Sequence, residues 1–274
     1  ETAEKRLFLN LWVRVPVSSI HLEKRIIGGE KCEEEERHYH VKFIAVNYAR
    51  KEGYLCGGSL ISDQWILTAA HYTVDEKSPM TETHIAYLGV HPKSPKPDKH
   101  VVTEYDIYTE GNDKHDIMLV KLPNPTTITP IPLTDCETPL SVLIIWLCFF
   151  LVDEDWTYPS ELQCADIAIV KNEEMPEIAR KKRLNQHWKC AANSTKDASR
   201  GDSGGGVVYQ KKLYGVISFT GDPDFACSEP FGFMDVCEYK EWIEETIKPG
   251  AREPGFWEKF RKKLRHIFSC FDCL

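Results

Sequence analysis

The chain has 274 residues, 42% of them hydrophobic, and a formal net charge of -8. That length supports a large core in a single all-β unit, and the acidic balance excludes a nucleic-acid binder, because a phosphate backbone attracts a basic surface. Ten cysteines point to an oxidising compartment, and the lone Cys-x-x-Cys pair, Cys270 and Cys273, has no histidine at zinc-site spacing, so neither a metal nor another cofactor is expected.

At the amino end, Leu7 to Val17 are mostly apolar, follow Lys5 and Arg6, and run into Val17-Ser18-Ser19, the small residues of a signal cleavage site. Asn10 and Arg14 interrupt the run, so a partial secretory signal and a plain amino-terminal arm both fit. Glu33 to Glu36 reads as a solvated acidic loop. His38 and His40 alternate with Tyr39 on an expected strand and read as solvent-facing.

Short β-rich runs then recur between turn signals: Val41 to Val46, Gly58 to Ile61, Trp65 to Ala69 and His84 to Val90. Pro92 to Lys99, proline-rich and charged, is an exposed loop before the strand Ile117 to Leu122. Val142 to Val152 is almost wholly apolar but far shorter than the roughly 20 residues that cross a bilayer, so a buried strand is expected. Further strands are predicted at Ala165 to Val170, Gly205 to Tyr209 and Leu213 to Phe219. Tyr239, Trp242, Ile243 and Ile247 fall on one helical face, which Pro249-Gly250 ends. Beyond it, Phe256, Phe260, Leu264, Ile267, Phe268 and Phe271 form an apolar stripe beside Lys259, Arg261, Lys262, Lys263 and Arg265. That tail either meets an anionic surface or docks on the chain's own body.

Three places carry chemistry. Gly201-Asp202-Ser203-Gly204-Gly205 sets a serine in a glycine turn, where a carbonyl can approach closely and the amides of Gly201 and Ser203 can hold a developing oxyanion. A serine hydroxyl needs a base. His71 ends the apolar run Trp65-Ile66-Leu67-Thr68-Ala69-Ala70, and Asp116 opens Ile117-Met118-Leu119-Val120.

The order His71, Asp116, Ser203, with all three contexts, resembles the trypsin-like serine proteases of the chymotrypsin fold. Arg25-Ile26-Ile27-Gly28-Gly29, Cys56-Gly57-Gly58-Ser59-Leu60 and Ser218 after Tyr214-Gly215-Val216-Ile217 carry the same resemblance, which runs from about Ile26 to Ile247. It implies two six-stranded antiparallel β-barrels with a carboxyl-terminal helix. The organisation is then a signal and activation segment over 1–25, a protease domain over 26–248 and a basic amphipathic tail over 249–274.

By that resemblance Ser203 attacks, His71 moves the proton, Asp116 orients His71 with support from Ser218, and Gly201 and Ser203 form the oxyanion hole. Cleavage after Arg25 would free the Ile26 ammonium to pair with Asp202. Asp197 stands at the floor of the specificity pocket and would select Arg or Lys. Gly232 resembles the pocket-wall glycine only if a short deletion precedes Cys237; otherwise Phe231 lines the wall. Thr220 stands where the family has glycine, and Ile145-Trp146-Leu147 where it has Gly-Trp-Gly, departures that favour a second reading as a weakly active or inactive binding homologue.

The resemblance pairs Cys32 with Cys164 and Cys136 with Cys237. Tyr72 and Ser199 replace the usual partners of Cys56 and Cys227, and Cys190 has none evident upstream, which leaves buried thiols or unorthodox pairing. Implied partners are protein or peptide substrates, an activating protease and protease inhibitors, in an extracellular or secretory-granule setting. Asn193-Ser194-Thr195 is a glycosylation sequon.

Overall fold

The computed structural model describes residues 29–47, 52–71, 82–137, 144–152, 159–198, 201–220 and 228–248. Arg25, Ile26, Ser199, Cys227, the apolar leader and the carboxyl-terminal tail lie outside these residues.

The first half of the chain supplies β1 (Glu30–Lys31), β2 (His40–Asn47), β3 (Glu52–Leu60), β4 (Trp65–Thr68), β5 (Glu82–Leu88), β6 (Asp98–Val102), β7 (Glu104–Glu110) and β8 (Asp113–Lys121). Seven of these form one antiparallel sheet in the order β6-β5-β2-β3-β4-β8-β7. Only Thr103 separates β6 from β7, so 98–110 is a single bent strand whose first part pairs with β5 and whose second part pairs with β8. Its two ends of the sheet are therefore joined through the chain, and the sheet is a six-stranded barrel.

The second half supplies β9 (Ile144–Val152), β10 (Pro159–Val170), a 3-10 turn (Asn172–Glu174), α1 (Glu177–Lys181), β11 (Trp188–Ala192), β12 (Gly206–Tyr209), β13 (Lys212–Phe219), β14 (Phe231–Asp235) and α2 (Val236–Ile247). The sheet order is β1-β10-β11-β14-β13-β12-β9, and β9 also pairs with β10. Six strands again close a barrel, with β1 added outside β10 at Glu30↔Cys164.

The stretch 117–120 of β8 shows why its sequence is continuously apolar and not alternating. Met118 and Val120 point into the first barrel with Val41, Leu60 and Ile66. Ile117 and Leu119 point the other way, into the core between the barrels with Trp188, Val216 and Trp242. A strand buried on both faces needs apolar residues at every position, and its start delivers Asp116 to the seam. α2 covers that shared core with Val236, Tyr239, Trp242 and Ile243, and Asp235 caps it by accepting from the Cys237 amide at 3.1 Å. The disulfides Cys32–Cys164 and Cys136–Cys237 are formed as the resemblance implied. Cys56 and Cys190 are buried and outside any disulfide. The Cys190 thiol donates to the Lys171 carbonyl at 3.1 Å, and burial pushes its pKa up to about 12.

One expectation is corrected. His38 is exposed, but His40, the first residue of β2, is only 2% exposed. The alternation holds, yet at the strand start one of its faces is already interior. Burial, with His91 and Arg37 nearby, lowers the His40 pKa from 6.5 to about 3. As pH falls below 6.5 the unfolded chain takes up this proton first, so folding loses roughly 1.4 kcal/mol per pH unit down to about 3. His40→Gln should therefore lose less unfolding free energy than the parent between pH 7 and pH 4. Denaturant titrations giving a constant difference between the two proteins over that range would refute this.

Candidate active site

β4 continues through Ala69 and Ala70, small buried residues that let the chain turn out to His71. There the carboxylate from the start of β8 collects the histidine. His71 Nδ1 lies 2.9 and 2.8 Å from Asp116 Oδ1 and Oδ2, and the amides of Ala70 and His71 donate to Oδ1 at 2.9 and 2.8 Å. An Nδ1–H that donates to a carboxylate leaves the basic lone pair on Nε2, the tautomer a general base requires. The Asp116 side chain is 12% exposed and that of His71 36%, so the orienting group is sheltered while the base faces the cleft.

The serine reaches this pair through Ser218, the last residue but one of β13. Ser218 donates its hydroxyl to Asp116 Oδ2, and its main-chain carbonyl accepts the Ser203 hydroxyl at 3.5 Å. Ser203, Ser218, Asp116 and His71 thus form one connected polar network across the seam of the two barrels.

The serine turn is fixed from both sides. Gly204 donates to the Ile217 carbonyl at 2.8 Å, and the Ser203 carbonyl accepts from the Gly57 amide at 2.8 Å. Gly57 belongs to the Cys56-Gly57-Gly58 motif, so that motif seats Ser203. Gly204 has φ +84°, and a side chain there would put Cβ 2.2 Å from the Gly57 carbonyl oxygen and 2.3 Å from Thr68 Oγ1. Only glycine allows the barrels to approach this closely. Gly201 also has positive φ, at 92°. Asp202 is fully buried behind the serine.

The proposed specificity residues are placed as follows. Asp197 is 7% exposed and lines a cavity of about 420 Å3 with Asn193, Ser194, Ser228 and Glu229. Thr220 follows Phe219 at the end of β13 and is half-buried. A Cβ on Gly232 would lie 2.1 Å from the end of the Phe219 ring, so the space left by that glycine is taken by Phe219. Phe231, 1% exposed, packs in a cluster with Ala198, Ile217 and Phe233. Ala198, the chain neighbour of Asp197, belongs to that same buried cluster, and Phe231 is not among the residues lining the Asp197 cavity.

Two contributors carry no local signal in the sequence. Gln186 accepts the Asp116 amide at 3.1 Å, and Arg183 lays its guanidinium 3.7 Å over the Phe219 ring. Both sit in a polar stretch before β11 that reads as a surface loop, and nothing in their spacing links them to a strand 70 residues away.

A family model described as Trypsin matches residues 26–243 of the chain. Kallikrein-11 of Homo sapiens is 30% identical over 243 residues, covering 82% of this chain and 82% of that protein. Anionic trypsin of Canis lupus familiaris is 30% identical over 252 residues, 88% of this chain and 95% of its own length. Trypsin V-B of Rattus norvegicus is 31% identical over 236 residues, 82% and 90% respectively.

Proposed function

Because the chain belongs to the trypsin family, we propose that it is a secreted serine endopeptidase, made as a zymogen, that cuts peptide bonds after Arg or Lys. The observation that carries the reading is the network joining Ser203, Ser218, Asp116 and His71 across the seam. In it Ser203 Oγ attacks the scissile carbonyl, His71 Nε2 takes the proton and returns it to the leaving amine, and Asp116 stabilises the imidazolium. The amides of Gly201 and Ser203 hold the oxyanion, and one such donor is typically worth about 3 kcal/mol of transition-state stabilisation.

Activation follows from the sequence around Arg25. Cleavage there exposes the Ile26 ammonium, and the buried Asp202 carboxylate next to the nucleophile is the matching partner, since a buried ion pair is stable only when both charges are present. Asp197 supplies the negative charge that a basic substrate side chain seeks.

A second reading, a protease-fold protein that binds but hardly cleaves, is favoured by the Phe219 ring filling the space at Gly232, the residue that resembles the pocket-wall glycine. One assay separates the two. Protein cut after Arg25 should hydrolyse Arg and Lys esters at least tenfold faster than Phe esters, while the uncut chain stays near background. Equal turnover of Phe and Arg esters removes the basic specificity, and no turnover of any ester by the cut protein supports the binder.

A further inference from the structure

The segment between β10 and β11 carries Arg180-Lys181-Lys182-Arg183, a basic run in a chain of net charge -8. It is docked against the site. The Trp188 indole donates to the Arg183 carbonyl at 3.1 Å, Trp188 also packs edge-on against Phe219, and the Arg183 guanidinium lies on that same ring. Arg183 is therefore held at its main chain and at its charged end. Gln186, three residues on, is bonded to Asp116.

A cavity of about 360 Å3 opens here, lined by His71, Asp116 and Gln186 together with Lys114, Lys182 and Arg183. Its single carboxylate, Asp116, already accepts from His71, Ser218 and two amides. Among the described residues nearby, Asp113 accepts from Asn185 at 2.8 Å, and Glu110 lies 3.6 Å from His187 Nε2. Lys114, Lys182 and Arg183 all line this concave space beside the histidine. Burial draws the Arg183 pKa below its ordinary value, with Asp116 acting the other way. Stacking removes water from one face of the guanidinium, which strengthens its attraction for an anion.

We propose that this cavity is a subsite for a carboxylate side chain of the bound peptide, an Asp or Glu within a few positions of the cleaved bond, held by Arg183 together with Lys182 and Lys114. The proposal rests on reading the His71 cleft as a peptide-binding cleft, but it does not require catalysis.

Its test is therefore a binding measurement on Ser203→Ala protein cut after Arg25. Fluorescent peptides containing one Arg would carry Glu, Gln or Lys at each of the three positions on either side of it. At one position the Glu peptide should bind about tenfold tighter than the Gln peptide, or about 1.4 kcal/mol, with Lys weaker than Gln and the preference shrinking as salt rises. In Lys182→Gln/Arg183→Gln protein the ratio should fall below threefold. If that protein does not fold, Lys114→Gln/Lys182→Gln, which changes two exposed residues and spares the stack, should also lower the ratio. No binding, equal binding of all three peptides at every position, or a Glu preference untouched by these substitutions overturns the subsite. A Glu preference in a protein that labels with no fluorophosphonate when wild type counts against catalysis and leaves the subsite standing.

Discussion

Ser203→Ala, in protein cut after Arg25, is expected to lower ester and peptide hydrolysis by about 10^4-fold or more, equivalent to roughly 5.5 kcal/mol of transition-state stabilisation. The loss should fall on kcat. The hydroxyl forms the covalent bond only during reaction, whereas apart from its long 3.5 Å contact to the Ser218 carbonyl the turn is held through backbone: Gly57 to the Ser203 carbonyl and Gly204 to the Ile217 carbonyl. Folding should be preserved for the same reason, so thermal unfolding near that of the parent is part of the expectation. Fluorophosphonate labelling should disappear with the activity. Hydrolysis that persists at more than a hundredth of the parent rate would mean that another group is the nucleophile.

Phe231→Gly is expected to raise kcat/KM for Arg esters by tenfold or more while leaving Phe esters within a few fold. The ring is buried with Ala198 and Ile217, and if Phe231 lines the pocket wall, as the resemblance has it without a deletion before Cys237, its removal widens the pocket that ends at Asp197. A basic side chain could then form charge-assisted hydrogen bonds with Asp197 in a partly desolvated pocket, an interaction roughly twice as strong as its neutral counterpart. Benzamidine, a planar amidinium, should bind the variant at least tenfold tighter than the parent. Removing a buried phenyl group also costs about 3 to 5 kcal/mol of stability, so Phe231→Val serves as a milder change with the same direction. If both variants fold and neither gains Arg turnover or benzamidine affinity, Phe231 does not line the pocket wall and the basic specificity has no support.

The strands most legible in the sequence were those whose burial is uniform or strictly alternating. β4, β13 and the 117–120 part of β8 are buried at nearly every position and read as apolar runs. β6 was not legible: Asp98-Lys99-His100-Val101-Val102 lies at the end of a charged loop and is mostly exposed, so pairing with β5 and not burial makes it a strand. β14 was hidden by Gly232, a residue that usually breaks a strand, and which here is needed because the Phe219 ring occupies its face. The same fact bears on the pocket. An alignment could choose between Gly232 and Phe231 only by inserting a gap, whereas strand alternation puts the two on opposite faces. The proposed trio was visible because each member adjoins a stretch with its own local pattern: His71 after the apolar run of β4, Asp116 before residues 117–120, and Ser203 within its glycine turn. Arg183 and Gln186 act through tertiary contact alone, and residues of that kind leave no periodicity to read.

Cys32–Cys164 and Cys136–Cys237 both span the stretch from residue 137 to residue 163. A proteolytic nick anywhere in that stretch would leave the two halves covalently tied by two bridges, migrating as one species until reduced and as two fragments afterwards. The 25 residues ahead of Ile26 contain no cysteine, so no disulfide from within them holds that segment to the body once the bond after Arg25 is cut. Internal nicking and amino-terminal processing, which change the mass of the chain in different ways, can therefore be told apart on a single pair of gels run with and without a thiol.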